Sequence, residues 1–275
     1  MGLDIQTLDL SASGGIPVDA GCLMLFSPTR DLTPHEASLI SAYLNGGGSL
    51  MLNTSPEVVE SCPNLNSVVA IFGLTAQKGL VQEGDTSFIS GNQYTLVPTV
   101  STQHAATAYV TSGGFKPQLP NCHAISVAST LPAGVTVTPL FTTSDKAVLV
   151  TTDKTTTLTE AGKHHVAVAA AKSITTADGT TKTASLTWYA SANAFTDTAA
   201  EGSKGGNYYF YAATMSLMSE SFTSAYMKLT PVALQTESLE ISDGAALAIF
   251  AITVILLPVA LLTVGIVIWV RRKRR

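Results

Sequence analysis

The residues best suited to covalent chemistry in this sequence are three cysteines: Cys22, Cys62 and Cys122. A nucleophilic cysteine needs a base within reach, and in α/β enzymes a nucleophile of this kind follows a strand on a tight turn. Cys22 instead begins an apolar run without a G-x-C-x-G elbow, and Cys62 lies in the loop SCPNLN with no histidine nearby in sequence. No G-x-S-x-G motif is present either. We therefore predict no catalytic residue and no enzymatic activity.

Metal sites are not indicated by the ligand-type residues. The three cysteines are widely spaced without a C-x-x-C pair, which argues against a zinc site or a disulfide scaffold, although one disulfide is compatible with the sequence. His164 and His165 are adjacent, so in a strand they point to opposite faces and do not share an ion; we interpret them as a solvent-exposed pair at a hairpin edge. The other histidines are isolated along the chain: His35, His104 and His123. We predict no metal.

Phosphate and calcium motifs are also missing from the sequence. The glycines Gly46 to Gly48 follow a predicted helix rather than open one, and no G-K-[ST] is present, so we predict no cofactor and no binding of ATP by this chain. No D-x-D-x-D-G loop occurs. Three aspartates beside predicted turns or strand ends are interpreted as turn residues: Asp145, Asp153 and Asp178.

The composition points to a folded, membrane-associated protein. Of the 275 residues, 46% are hydrophobic and 12% are charged, whereas soluble domains contain about 25% charged residues. Disordered chains show the opposite bias. The net charge is −4, and 5 of the 15 basic residues are the last five, which leaves 10 basic against 19 acidic residues elsewhere. So acidic a body argues against binding to nucleic acid.

Residues Ala245 to Val270 form 26 consecutive uncharged positions, and roughly 20 span a bilayer. We predict a transmembrane helix at 245–270, kinked at Pro258, with Trp269 at the interface and a cytoplasmic basic tail at 271–275. The tail RRKRR either binds anionic lipid headgroups or is only a stop-transfer signal. Pro258 and Gly265 either form a packing notch for a partner helix or reflect the general frequency of these residues in membrane helices.

The positive-inside rule places the preceding residues outside the cytoplasm. However, the first residues, MGLDIQTLDLSASGG, contain no signal peptide. We therefore expect an N-terminal anchor to be missing from this chain; a tail-anchored protein with a cytosolic body is the alternative.

The N-terminal elements predict a β-α-β unit. Ile5 to Leu10 and Cys22 to Ser27 have strand patterns, and SLMLN at 49–53 is a buried strand. Between them, Thr33 and Glu36 form a capping box with Pro34 in the first helical position. Ala37, Ile40 and Leu44 share one face of that helix. Two strands joined by a helix imply a parallel sheet.

The rest of the body is predicted to be β-rich in the middle and helical near its end. A second helix is expected at about Asn64 to Phe72, closed by Gly73. Residues from about 85 to 182 are mainly β, with strands at QYTLVPTV, HAISVA, VTVTPLF, KAVLVTT and HHVAVAA and an exposed hairpin at TTTLTEAGKHH. A strand at Ser185 to Ala190, a helix at Gly206 to Ser219 and the connector TPVALQTESLEIS complete a domain of residues 1–240.

Several of these segments, in this order, resemble the Gldg family of ABC-type transport auxiliary proteins. They are the DLTPHE helix, YLNGGGSLML, CPNLNSVVAIFGL, ANAF, the GGN-led helix and LLPVALLTVGIVIWVRRKRR. The resemblance runs from about Gly15 to the end. It implies an amidotransferase-like or flavodoxin-like parallel sheet with a β-rich middle section, a domain type also seen in an intraflagellar-transport protein and without an established catalytic role.

The same resemblance implies the function and the partners. We expect a non-catalytic, membrane-anchored accessory subunit of an ABC-type transport complex, in one branch of the family linked to bacterial gliding. Its partners would be the lipid bilayer, an ABC permease and a separate ATP-binding subunit. Two alternatives remain open: an anchored surface-binding or adhesive protein, and an anchored amidotransferase-like hydrolase.

Overall fold

The computed structural model of the protein describes residues 4–12, 14–175, 179–218 and 243–274. Contacts divide the chain into two units, Met1–Lys228 and Leu229–Arg275. The described part of the first unit, residues 4–218, is called the body below. The described part of the second, residues 243–274, is called the C-terminal helix.

The body begins its regular structure with the β-α-β unit that the sequence predicts. Strand β1 (Leu23–Phe26), helix α1 (Pro34–Asn45) and strand β2 (Ser49–Asn53) follow one another, and β1 pairs with β2 in parallel. Thr33 caps α1: its hydroxyl accepts from the Glu36 amide, and the Glu36 carboxylate accepts from the Thr33 amide at 2.7 Å. Arg30 donates two hydrogen bonds to the same carboxylate; together with the Thr33 amide it lowers the pKa of Glu36 to about 2.

The main sheet is mixed, whereas the sequence predicted a parallel one. Strand β13 (Thr181–Tyr189) extends the parallel part by pairing with β2. The remaining neighbours are antiparallel: β12 (His165–Thr175), β10 (Val135–Thr142) and β7 (Thr99–Val100). The reason is the connection of β12 to β13, which is too short for the crossover of a dozen or more residues that a parallel pair requires.

Smaller strands and helices complete the body. Strand β3 (Leu74–Ala76) pairs with β9 (Ile125–Val127), and β9 also pairs with β12. A second sheet consists of β4 (Leu80–Gln82) and β11 (Val148–Val150). A third sheet consists of β5 (Ile89–Ser90), β6 (Asn92–Leu96) and β8 (Leu119–Pro120). The other helices are α2 (Pro56–Val59), α3 (Pro63–Val69), α4 (Ala105–Ser112), α5 (Asp197–Gly202) and α6 (Gly206–Met218). A 3-10 turn, Ala70–Phe72, extends α3 up to Gly73, whose φ of 69° ends it.

Three details differ from the sequence-based expectation. Residues Ile5 to Leu10 are not a strand, although Leu10 packs on the core. Helix α4 interrupts the section that was expected to be mainly β, because a tract rich in alanine and threonine can adopt either structure until tertiary contacts decide. The stretch expected as an exposed hairpin has an isolated bridge, Val150 with Thr157, and then irregular backbone up to the start of β12. The connector TPVALQTESLEIS lies outside the described residues.

The two faces of the central strands carry two cores. Alternate side chains of β2 and β13 point to opposite faces, as strand geometry requires. Leu52 and Trp188 belong to the cluster under α1 and α3, and Met51 and Tyr189 belong to the cluster that contains Phe210 of α6. Strand β2 is thus buried on both faces, and this explains its continuous apolar run of Leu50, Met51 and Leu52.

The C-terminal helix contains α7 (Asp243–Phe250), a π-helical turn (Ala251–Leu256) and α8 (Leu257–Lys273). Ala251–Lys273, 23 residues of mean hydropathy 2.8, is long and apolar enough to span a membrane. Where the sequence predicted a kink at Pro258, the structure has the π-helical turn just before it. Proline lacks an amide proton and its ring crowds the preceding turn, which accounts for a wider turn at this point.

Candidate functional site at the carboxyl edge of the parallel strands

Strands β1, β2 and β13 end at the same edge of the sheet because they are parallel. Open α/β sheets bind their ligands outside the carboxyl ends of such strands. The residues that follow the three strands are Ser27, Thr54 and Ala190, and the last residue of β2 is Asn53. This carboxyl edge is therefore the candidate functional site.

Asn53 links the ends of the three strands. Its side-chain oxygen accepts from the Ser27 amide at 2.7 Å, and its side-chain amide donates to the Ala192 carbonyl at 3.4 Å. The Ser27 hydroxyl donates to the same carbonyl at 3.2 Å. Ser27 has a φ of 48°, a left-handed conformation that is uncommon for residues other than glycine. The two polar side chains thus hold the turn after β1 against the loop after β13.

Directly behind this edge, Thr54, His123 and Trp188 form a buried hydrogen-bond chain. The His123 Nδ1–H donates to the Ala124 carbonyl at 2.9 Å, which leaves Nε2 as the acceptor in a neutral ring. The Thr54 hydroxyl donates to this Nε2 at 2.7 Å and accepts from the Trp188 Nε1–H at 2.8 Å. Burial lowers the pKa of His123 to about 4, so the ring is neutral at pH 7.

The Thr54–His123 pair has the spacing of a nucleophile and its base, with a carbonyl that orients the imidazole. However, the Thr54 and His123 side chains are completely buried, and Trp188 lies against the imidazole with ring centroids 5.5 Å apart. A substrate therefore has no access to the hydroxyl in this conformation. The arrangement instead fixes β2 and β13 to the segment before β9.

The three cysteines do not join this chain. All three are free thiols, with Cys62 and Cys122 buried and Cys22 half-buried just before β1. Burial raises the pKa of Cys22 to about 11 and raises that of the other two as well. A protonated thiol is a poor nucleophile. The Cys122 thiol donates to the Leu119 carbonyl at 3.4 Å, in keeping with a packing role.

The adjacent histidines are less exposed than the sequence suggested. His164 and His165 are both half-buried at the start of β12, rather than solvent-exposed. Within the described residues, His164 Nε2 and His165 Nδ1 are buried without a hydrogen-bond partner. At the start of β12, His165 pairs with Thr142 of β10 and with Ile125 of β9, so this strand begins inside the sheet.

The other candidate ligands lie apart from one another. His35 is exposed on α1, and His104 accepts from the Ala106 amide at the start of α4. Asp145 is exposed and Asp153 accepts from the Thr155 amide in a turn, whereas Asp178 lies outside the described residues. Across the ranges that the structure describes, no group of three or more His, Cys, Asp or Glu side chains could hold a metal ion.

Sequence reasoning missed a buried carboxylate, Glu83. It accepts from the Gly84 and Asp85 amides at 2.9 Å each, and from the Ser144 hydroxyl and amide at 2.5 and 3.1 Å. Four donors satisfy a buried anion that would otherwise be costly. Only the G-D turn after Glu83 hinted at it, because the Ser144 donors come from 61 residues away.

An aromatic cluster borders the carboxyl edge. The ring centroids of Phe26, Phe195 and Tyr211 lie 5.4 to 6.1 Å apart. Tyr189 packs edge-on against Phe195. Phe26 is 37% exposed and directly precedes Ser27. The edge therefore presents an aromatic surface beside hydroxyl and amide groups, which suits binding rather than proton transfer.

Comparisons with known proteins give a fold and no family. No family model matches the chain, and no curated protein matches its sequence. A solved structure described as the mmIFT52 N-terminal domain is similar, with a TM-score of 0.51 and 10% identity, covering 73% of this chain and 78% of that chain. At this identity the likeness concerns the fold alone and does not bear on the Gldg resemblance.

Proposed function

We propose that this protein is a non-catalytic, membrane-anchored accessory subunit of an ABC-type transport complex. In this proposal the body has an amidotransferase-like fold whose carboxyl edge binds a protein partner or an extracytoplasmic ligand. The transport connection comes from the sequence resemblance to the Gldg family.

The observation that supports a binding function is that the polar groups at the carboxyl edge are already hydrogen-bonded within the body. Asn53 and Ser27 are hydrogen-bonded to the backbone of the turn after β1 and of the loop after β13, and the Thr54–His123 pair is buried against Trp188. These groups hold the edge rigid, while Phe26 remains exposed beside it. A rigid edge with an exposed aromatic ring is a suitable contact surface, because aromatic anchors dominate many interfaces.

The C-terminal helix supports the membrane anchor and the orientation in this proposal. Its apolar length suits a bilayer, and the basic residues that follow favour the cytoplasmic side. The body is then extracytoplasmic. Since the sequence has no P-loop motif, ATP hydrolysis would come from a separate subunit, and the permease would supply the membrane pathway.

The test is a pull-down of the full chain, tagged after Arg275, from detergent-solubilised native membranes. Mass spectrometry should recover a permease and an ATP-binding subunit together. The substitution Phe26→Ser should reduce recovery of a partner bound to the body. Leu158→Ser, the control change at a 46% exposed leucine beside the Val150–Thr157 bridge, should not.

Recovery of the chain alone would exclude the transport assignment and favour the anchored surface-binding or adhesive alternative. If the partners were recovered equally with Phe26→Ser and with Leu158→Ser, the complex would stand, but the carboxyl edge would not be its contact. Hydrolysis of amide or ester substrates that disappears with Thr54→Val would overturn the non-catalytic proposal.

A further inference from the structure

One side of helix α8 combines an apolar groove with positive charge. The groove is lined by Leu261, Leu262, Gly265, Ile266 and Trp269. Gly265 forms its floor, and a Cβ added there would meet no atom within 4 Å. The groove is thus open because a side chain is missing, and the flanking leucines and the indole form its walls.

Two of the terminal cations lie on the groove side of the helix. Successive residues of an α-helix are about 100° apart, so Arg272 is about 20° from Gly265, seven residues earlier, and Lys273 is about 40° from Trp269, four residues earlier. The structure confirms the second relation, since Lys273 Nζ lies 5.1 Å from the centre of the Trp269 ring. Arg271 and Arg274 lie about 150° from the middle of the groove.

No acidic side chain of their own segment accompanies these cations in the sequence. From Gly244 to Arg275 the sequence contains no acidic residue, and Asp243 lies at the opposite end, roughly 40 Å away along the helix axis. A bilayer with anionic headgroups supplies the missing charge at the depth where an interfacial tryptophan and a basic cluster reside.

We propose that this side of α8 is a binding site for an anionic phospholipid. Arg272 and Lys273 hold the headgroup phosphate, and an acyl chain lies in the groove over Gly265, against Trp269. This site requires only that the helix spans a membrane, so it is independent of the transport proposal. It also differs from a plain stop-transfer signal, because it uses two particular cations rather than the sum of five.

The experiment compares lipids retained by the full chain. The protein, in mild detergent, is supplied with equimolar phosphatidylglycerol and phosphatidylcholine, and native mass spectrometry counts the bound lipids and the copies of the chain. The unmodified protein should retain phosphatidylglycerol preferentially. At roughly 1 kcal/mol for each cation near the headgroups, R272Q/K273Q should lower this retention about 30-fold.

Two matched controls separate the site from total charge and from general bulk. R271Q/R274Q removes the same charge from the other side of the helix and should retain the lipid within about twofold of the unmodified chain, because neither side chain faces the groove. Gly265→Leu should fill the groove and lower retention several-fold, whereas Ala260→Leu, on the opposite side, should not. Helical circular dichroism identifies any variant that has lost its structure.

Equal loss in the two double variants would show non-specific attraction and overturn the proposal, as would the absence of any preference in the unmodified protein. Unchanged retention in Gly265→Leu would remove the acyl-chain half of the site. A dimer that Gly265→Leu converts to a monomer would assign the groove to a second copy of the chain instead.

Discussion

Leucine side chains are buried in the body and exposed in the C-terminal helix. Leu44, Leu50 and Leu52 have no exposed surface, whereas Leu256 is 64% exposed and Leu262 is 67% exposed. In water the first arrangement is stabilised by the hydrophobic effect. The second arrangement suits an apolar solvent such as the interior of a bilayer, which this helix is long and apolar enough to span.

The two regions also satisfy their polar groups differently. In the body, side chains distant in sequence meet, as Thr54 does with His123 and Trp188. In the C-terminal helix, hydroxyls bond to the backbone one turn earlier: Thr253 donates to the Ile249 carbonyl and Thr263 to the Val259 carbonyl, both at 2.7 Å. The comparison teaches that the body is held by long-range contacts and the helix by local ones, the pattern that a membrane-spanning helix needs.

The largest expected effect comes from truncating a leucine in each region. Leu52→Ala should destabilise the body by about 2–5 kcal/mol, because it leaves a cavity in a packed core. Leu256→Ala should leave the unfolding free energy of the body unchanged. Pulse proteolysis in urea, scored on the band of the body, measures both. A similar loss in the two variants would refute the contrast between the regions.

The second effect is a pH dependence confined to the body. An unfolded histidine has a pKa of about 6.5, and that of His123 is lowered to about 4 by burial, so the unfolded chain binds more protons between these values. Stability is therefore complete above pH 6.5 and falls by up to about 3 kcal/mol as the pH decreases to 4. Since the C-terminal helix contains no histidine, its helicity should not change.

Urea midpoints at several pH values for the unmodified chain and for His123→Gln measure this effect. The His123→Gln variant should be less stable than the unmodified chain at pH 7, and its unfolding free energy should change much less with pH. Half-burial also lowers the pKa values of His104, His164 and His165, which supply a remaining slope. An unchanged slope in the variant would exclude His123 as the main cause.

A smaller effect is expected at the start of α1. Thr33→Ala removes the acceptor for the Glu36 amide and should cost about 1 kcal/mol in the body. Thr33→Ser keeps the hydroxyl and serves as the matched control, with a cost close to zero. Equal urea midpoints for alanine and serine would show that the Glu36 carboxylate, through Arg30 and the amide of residue 33, fixes this end of the helix without the hydroxyl.

The smallest effect on the body should come from Pro258→Ala. The substitution restores an amide proton and removes the ring, so the π-helical turn at Ala251–Leu256 should convert to α-helix. Hydrogen exchange across residues 251–258 measures this change. The urea midpoint of the body should stay within the error of the measurement, and a shift would show that the two regions are coupled.

Local features of the fold were predictable from the sequence. The capping box at Thr33 and Glu36, the parallel pairing of β1 with β2 and the apolar C-terminal helix all depend on residues close together in the chain. The predictions that were wrong concern features that depend on residues far apart in the chain. Ile5 to Leu10 alternates like a strand but is irregular in the structure, and the β12–β13 hairpin makes the sheet mixed.

The carboxyl edge shows the same division. The positions of Asn53 and Thr54 after a buried strand were visible in the sequence, and a strand end is where α/β proteins place their sites. That Thr54 meets a histidine 69 residues later and a tryptophan 134 residues later was not visible. No periodicity or spacing encodes such a contact, because it depends on how separate strands align.

By itself, the sequence determined the locally encoded properties of this protein: a folded acidic body, its first β-α-β unit, and an uncharged helix ending in five cations. Only the tertiary structure decided that His123 and Glu83 are buried and satisfied, that Phe26 is exposed beside the carboxyl edge, and that the sheet is mixed. The physical reason is the distance along the chain over which each kind of interaction acts. Capping, periodicity and hydropathy act over a few residues, whereas burial and hydrogen-bond pairing depend on which distant segments pack together.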